Sequence, residues 1–285
     1  MKRFSFLLCL GLFAASSAHA SMCSYEDNRV PSDENRVGRA TARFNPTHTK
    51  RGKCTVALVG KTCFVTSGVC GQIAEYVEFK VPGSIDGIPQ ESEKNDFYYI
   101  DPNSVVYSGE ITAKGGIGKH WGVGEFLVNQ ETKLYPGEAY GHFNFPEKKS
   151  KKGIDISVYQ FGNTDNSRYG VTSGLEGPNP FGSELHYALS STEAKLVKSG
   201  IFLLPGIMEH NGDTNTGSSG APLIDKATDE VIGVNTHGGC DSTARGRKTN
   251  SATSLVGNKK FYKAVRRCLS REQMLIDIRD QLYNM

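Results

Sequence analysis

Short segments of β-forming residues, each closed by Gly, Pro or Asn, recur from residue 54 onward, and they constrain the fold more than any other feature. Such segments predict antiparallel strands that reverse at every turn, and they argue against alternating βαβ units. A chain of 285 residues can bury the core of one large all-β domain or of two smaller ones. The predicted strands are Thr55–Val59, Cys63–Thr66, Tyr76–Val81, Ser104–Tyr107, Gly124–Val128, Ile156–Phe161, Ala221–Leu223 and Val231–Val234.

The first twenty residues have the organisation of an export signal. Lys2 and Arg3 precede an apolar run at residues 4–15, and Ala18-His19-Ala20 has the small-x-small pattern that a signal peptidase cleaves. The alternative is a membrane anchor, but the apolar run is too short to span a bilayer. We therefore expect a signal peptide at residues 1–20 and an exported protein, secreted or periplasmic, that has no membrane anchor after cleavage.

Charge and cysteine content narrow the classes of ligand. The 33 basic and 30 acidic residues nearly balance, so the composition does not point to nucleic acid. Loss of the signal leaves an even number of cysteines, which in an exported chain favours disulfides. We expect neither a metal site nor a cofactor, because the chain has no paired CxxC and no HExxH motif. The remaining cysteines are Cys23, Cys54, Cys63, Cys70, Cys240 and Cys268.

The C-terminal segment differs from the rest of the chain because its apolar residues recur at helical spacing. Phe261, Val265 and Leu269 lie on one face of a predicted helix. Ser270-Arg271-Glu272-Gln273 has the form of a capping box, which predicts the start of a second helix. We therefore expect a β protein closed by C-terminal helices.

The most informative motif is Gly217-Ser218-Ser219-Gly220-Ala221-Pro222, which is followed by a strand that ends in His-Gly-Gly-Cys. Read by itself it could be a Gly/Ser hairpin loop. The motif resembles the G-x-S-G-x-P signature of the bacterial branch of chymotrypsin-like (trypsin-like) serine proteases. The resemblance implies that Ser219 is the nucleophile and that the N–H groups of Gly217 and Ser219 form an oxyanion hole. Ser218 stands where the family has the Asp that an inserted N-terminus engages, so this mode of activation is not expected.

The same resemblance implies a specificity pocket. Asp213 lies six residues before Ser219, where the family builds the pocket floor, and Asn235 and His237 lie on the strand that lines it. A carboxylate there would favour a basic substrate side chain, but a turn-capping Asp remains an equal alternative. Members that cleave after acidic residues usually carry His where Asn235 stands, so the specificity stays open.

The position of the general base is substituted. The stretch from Cys54 to Cys70 resembles the family's Cys, strand and T-A-x-H-C signature, with the two cysteines sixteen residues apart. Val69 stands at the His position. An isopropyl group can neither accept nor orient a proton, so the resemblance implies that the base is lost.

Two residues compete for the position of the family's Asp. His120 follows Val69 by 51 residues and precedes Ser219 by 99, whereas for Asp155 the two intervals are 86 and 64. The family's second interval is usually the longer one, which favours His120 and places Asp155 at the start of a second-barrel strand. His120 could then replace the missing base, or it could be a packed core histidine.

The resemblance also implies disulfide partners. Cys54 and Cys70 match the disulfide around the catalytic His, and Cys63 stands where the family's side chain packs toward the C-terminal helix that carries Cys268. A free, buried Cys63 is the alternative. These pairs leave Cys23 with Cys240.

The fold implied is two antiparallel six-stranded β-barrels at residues 51–140 and 145–256 that meet at a cleft. An N-terminal segment at 21–50 precedes them and a helical segment at 257–285 follows. The first hypothesis for function is a non-catalytic protease homologue that binds a peptide or protein. The second is an active endopeptidase that uses Ser219 with His120. The third is a structural or envelope interaction protein that leaves the cleft unused.

Overall fold

The computed structural model describes residues 22–23, 27–32, 36–44, 54–72, 75–109, 116–164, 182–201, 204–240 and 248–283. The predicted signal peptide lies outside these residues. The helices of the described part are α1 (Arg36–Arg39), α2 (Gly68–Gly71), α3 (Pro136–Tyr140) and α4 (Lys259–Tyr283). Its strands are β1 (Val30–Pro31), β2 (Thr41–Phe44), β3 (Cys54–Leu58), β4 (Cys63–Thr66), β5 (Tyr76–Glu78), β6 (Phe97–Tyr99), β7 (Val106–Ser108), β8 (Trp121–Glu125), β9 (Asp155–Gln160), β10 (Ser190–Ile201), β11 (Leu204–His210), β12 (Pro222–Asp225), β13 (Glu230–His237) and β14 (Asn250–Ser254).

The C-terminal half of the chain forms a closed antiparallel barrel. Its strands follow the order β10-β11-β14-β13-β12-β9, and β9 also pairs with β10, which closes the ring of six. The short strand β1 adds to β10 from outside the ring. Alternate residues such as Ile156, Val158 and Leu223 face a separate buried apolar cluster inside this barrel, as a period-2 pattern requires.

The N-terminal half forms a curled antiparallel sheet in the order β6-β5-β2-β3-β4-β8-β7. Curling brings the end of β6 back to the end of β8, where Leu127 N–H donates to the Tyr99 carbonyl at 2.9 Å and Ile100 bridges to Phe126. Strands β3 and β4 are buried along their whole length. The predicted all-β, two-barrel fold is confirmed, with seven strands in this first sheet among the described residues.

A single long helix, α4, packs on the first sheet. Phe261 stacks on Trp121 of β8 with ring centroids 5.4 Å apart, and Val265 is fully buried. The prediction that a capping box at Ser270 starts a second helix is wrong, because α4 runs through it for 25 residues. Within the helix the Ser270 hydroxyl donates to the Arg267 carbonyl at 2.9 Å, so it does not cap an N-terminus.

Three disulfides join α2 to β3, α4 to β4, and the N-terminal segment to the region after β13. The pairs are Cys54–Cys70, Cys63–Cys268 and Cys23–Cys240, with Cα–Cα distances of 6.1, 6.0 and 4.9 Å. All three distances lie in the ordinary range for disulfides. In the described part of the chain, no helix is long and apolar enough to cross a bilayer, and no cluster of three metal-ligating side chains occurs.

Candidate functional site

The loop that carries Ser219 links β11 to β12, and two glycines give it its shape. Gly217 has φ of +105° and Gly220 has φ of +87°, a region that side-chain-bearing residues rarely adopt. A Cβ atom on Gly220 would also overlap the Thr55 carbonyl oxygen and the Thr66 hydroxyl. The two glycines therefore let the loop turn sharply while it lies directly against the first sheet.

Thr55 of β3 fixes this loop from the opposite sheet. Its N–H donates to the Ser219 carbonyl at 2.8 Å, and its hydroxyl donates to the Gly217 carbonyl at 3.0 Å. The same hydroxyl accepts from the N–H of Phe161 at 3.1 Å. A single buried threonine thus joins the Ser219 loop, the end of β9 and the first sheet.

Polar side chains of the second barrel also form hydrogen bonds with the Ser219 loop. Ser218, at the position where the family has Asp, hydrogen-bonds the Gln160 carboxamide oxygen and accepts from the Asn215 N–H at 3.0 Å. Gln160 Nε2 donates to the Asp213 carbonyl at 2.8 Å. Ser218 therefore has a structural role here, because it ties the loop to β9.

The N–H groups of Gly217 and Ser219 are the predicted oxyanion donors. Among the described residues, neither group donates to a protein acceptor. Ser219 itself is half-buried. The two N–H groups are therefore unpaired donors within this part of the chain.

Val69 lies in α2 and is half-buried. The Cys54–Cys70 disulfide holds this helix to β3. A Cβ on Gly68 would overlap the Ser108 carbonyl of β7, so α2 packs closely on the β7–β8 strands. Val69 therefore lies on a helix that is held by a disulfide and by close packing on β7, and its side chain is apolar.

His120 lies directly before β8, whose Gly122 pairs with Thr66, the last residue of β4 before α2. Its ring is 2% exposed and lies against the backbone of Gly109 and Gly116. It also meets the His237 ring edge to face, with centroids 4.7 Å apart. His120 is thus an enclosed ring.

Asp155, the other candidate for the Asp position, lies elsewhere. It is the first residue of β9, is exposed, and pairs with Lys195 at 2.5 Å. Gln160 at the opposite end of β9 is the residue that contacts the Ser219 loop, about 16 Å further along the strand. The structure does not bring Asp155 to the loop.

Asp213, the predicted pocket floor, is fully buried. Its carboxylate accepts the N–H of Cys23 at 2.5 Å and the N–H of Asn28 at 3.0 Å. The Cys23–Cys240 disulfide anchors this N-terminal segment. The carboxylate is therefore engaged inside the protein and is not exposed to a substrate side chain.

His210 is a site residue that sequence reasoning missed, because no motif surrounds it. It is fully buried, and its Nε2 lies 3.2 Å from Asn235 Oδ1. Asn235 Nδ2 donates to the Ser218 carbonyl at 3.1 Å, so its oxygen accepts from His210. Burial lowers the pKa of His210 to about 4, which keeps the imidazole neutral.

His237, the third predicted pocket residue, has Nδ1 2.9 Å from the Thr236 hydroxyl. Burial, with a smaller contribution from His120, lowers the pKa of His237 to about 4. Two neighbouring imidazoles cannot both carry charge at low cost in a buried site. His237 is therefore neutral at ordinary pH.

Solved structures with the same architecture are proteases. A Glu endopeptidase in complex with MPD matches with TM-score 0.58 and 13% identity, over 86% of this chain and 97% of that one. The chain has the chymotrypsin-like two-barrel fold. Protease Anisep from Arthrobacter nicotinovorans matches with TM-score 0.52 and 10% identity, over 87% of this chain and 99% of that one.

A thermostable serine protease, AL20, from an extremophilic microorganism gives TM-score 0.55 and 12% identity, over 83% of this chain and 99% of that one. No protein-family model and no curated protein matches the sequence. At these identities the likeness establishes the chymotrypsin-like fold, and the chemistry must be argued from the residues of the site.

Replacing Gly220 with Ala tests the close contact between the loop and the first sheet. Gly153 is a matched control, because it also has φ of +87° but open space around its Cα. We expect Gly153→Ala to lower the free energy of unfolding by about 1 kcal/mol from backbone strain alone. Gly220→Ala should cost at least about 3 kcal/mol. Urea unfolding under non-reducing conditions measures both, and equal losses would contradict the contact.

Acid should destabilise the protein through its buried histidines. Folded-state pKa values near 4, against an ordinary value of 6.5, mean that the unfolded chain takes up protons first as the pH falls. The stability present above pH 6.5 is therefore lost between pH 6.5 and 4.

We expect His237→Gln to reduce this slope by about 1 kcal/mol per pH unit. The exposed His142 provides a control, and His142→Gln should leave the slope as in the wild type. Urea titrations at half-unit pH steps give the slopes. If His237→Gln kept the full wild-type slope, His237 would not be the neutral buried group described here.

Proposed function

We propose that this protein is an exported, non-catalytic homologue of the chymotrypsin-like serine proteases that binds a peptide or protein segment in the cleft between its barrels. The observation that carries the proposal is the environment of Ser219. Val69 stands at the base position, and within the described residues the Ser219 hydroxyl makes no hydrogen bond. A serine hydroxyl is a weak nucleophile unless a base within hydrogen-bond reach activates it.

The size of the rate loss expected without a base favours binding over hydrolysis. In a related triad system, loss of the His costs about 10⁶ in turnover, and the remaining acceleration of about 10³–10⁴ comes from the oxyanion hole and binding. The parts retained here are the ones that bind: two N–H donors at Gly217 and Ser219, held by a rigid loop. They suit the carbonyl oxygen of a peptide.

The second candidate function is endopeptidase activity with His120 as the base. In its favour, the sequence resemblance places a histidine, His120, at the position of a triad residue. Against it, the ring is 2% exposed and its neighbours are Gly109, Gly116 and the His237 ring. A base that took a proton there would place an imidazolium against a second buried imidazole.

Export is part of the same proposal. The protein has three disulfides, two of which link segments more than 200 residues apart in sequence, and such bonds persist in oxidising compartments. The N-terminal signal motif agrees with this assignment.

A proteome-derived peptide mixture tests hydrolysis and binding together. After incubation with the mature protein, mass spectrometry should detect no cleavage products that are absent with Ser219→Ala. Products that disappear in both Ser219→Ala and His120→Ala, but persist in the exposed-site control His142→Ala, would establish the endopeptidase instead.

Binding is read from peptides retained by the immobilised protein. We expect Ser219→Ala to retain them and Ser219→Trp, whose large side chain fills the cleft at a half-buried position, to lose them. Circular dichroism confirms that the Trp variant folds. Retention that does not change in Ser219→Trp would contradict use of the cleft and would favour the structural role.

A further inference from the structure

A groove of about 480 Å³ lies between α4 and the β7–β8 edge of the first sheet, away from the Ser219 loop. Its floor is apolar and includes Trp121, Val123 and Val106. Val106, which pairs with Val123 on this face of the sheet, is 50% exposed, which is high for a large apolar residue. The groove thus offers apolar surface that the described part of the chain leaves uncovered.

The helix side of the groove carries a row of cations. Lys260, Lys263, Arg267 and Arg271 line it, are all exposed, and recur at spacings that place them on one face of α4. Among the described residues the first three make no ion pair. Arg271 lies 3.5 Å from the buried Glu125, the one acidic side chain among the described residues that line the groove.

The strand side of the groove offers backbone groups. Among the described strands, β7 is the last of its sheet and pairs only with β8, through Val106↔Val123, Tyr107↔Gly122 and Ser108↔Trp121. An edge strand can accept an added strand from another polypeptide, because half of its N–H and C=O groups point outward.

The dimensions suit an extended chain. Lys260 and Arg271 are separated by eleven residues of helix, which corresponds to about 16 Å. About five residues of extended peptide span that distance. A lipid headgroup would reach only part of this row and would leave the strand edge unused.

We propose that this groove docks an extended segment of a partner protein that carries acidic residues and at least one large apolar side chain. The acidic residues pair with the cations of α4, the apolar side chain lies on the Trp121–Val123 floor, and the backbone runs along β7. This surface is distinct from the cleft of the proposed function and does not depend on it.

The test is selection of a random dodecapeptide phage library on the immobilised mature protein, followed by fluorescence polarisation with the enriched peptides. We expect enriched peptides to combine acidic and large apolar residues. Lys263→Glu/Arg267→Glu should weaken their binding at least about tenfold. The matched control Lys259→Glu/Arg266→Glu makes the same charge change at exposed positions outside the groove and should bind as the wild type does.

Several results would overturn the proposal. One is a selection that enriches no acidic peptides, and another is enriched peptides that bind both double variants equally. A third is binding of phosphatidylglycerol vesicles that Lys263→Glu/Arg267→Glu weakens, together with peptide binding that this double variant leaves unchanged. That result would identify the groove as a membrane-binding surface. Binding that Ser219→Trp abolishes would assign the peptides to the cleft, so failure here and failure of the proposed function remain distinguishable.

Discussion

The hydrogen bonds of Thr55 to the Ser219 loop are the constraint on which the rest of the site depends. The loop belongs to the second barrel, yet its carbonyl groups at Gly217 and Ser219 are held by the backbone and side chain of a residue in the first sheet. Gly220 permits this contact because any side chain there would overlap the Thr55 carbonyl. The position of the loop is thus a consequence of how the two sheets pack, and it does not require a catalytic triad.

The backbone contacts that hold the loop are thus separate from the side chains that the proposed function treats as substituted. Within the described residues the N–H groups of Gly217 and Ser219 have no acceptor, whereas Val69 carries an apolar side chain and His120 is buried beside His237. The carboxylate of Asp213 is likewise used internally, by N–H groups of the N-terminal segment. The loop is held by Thr55 and Gln160, and the proposed function assigns neither of these residues a role in hydrolysis.

Local motifs predicted the parts of this structure that depend on neighbouring residues. The glycine–serine motif indicated the loop, and buried strands such as β3 and β4 were visible as apolar runs. Strand β10 was missed because its twelve residues are mostly polar. Pairing with both β9 and β11 stabilises it, and such long-range pairing leaves no local sequence signal. The engagement of Asp213 could not be predicted either, since its partner Cys23 is 190 residues away. The prediction that a second helix starts at Ser270 was wrong because packing of α4 on the first sheet outweighs a local capping signal.

Labelling with a fluorophosphonate probe tests most directly whether the loop is intact while its serine is not activated. The mature wild-type protein is compared with Val69→His/His120→Asp and with the same double variant carrying Ser219→Ala. We expect wild-type labelling at the background rate and labelling of the double variant faster by at least about 100-fold, because a restored base would act on an assembled site. Wild-type labelling at the rate of an active serine protease, abolished by Ser219→Ala alone, would contradict this account.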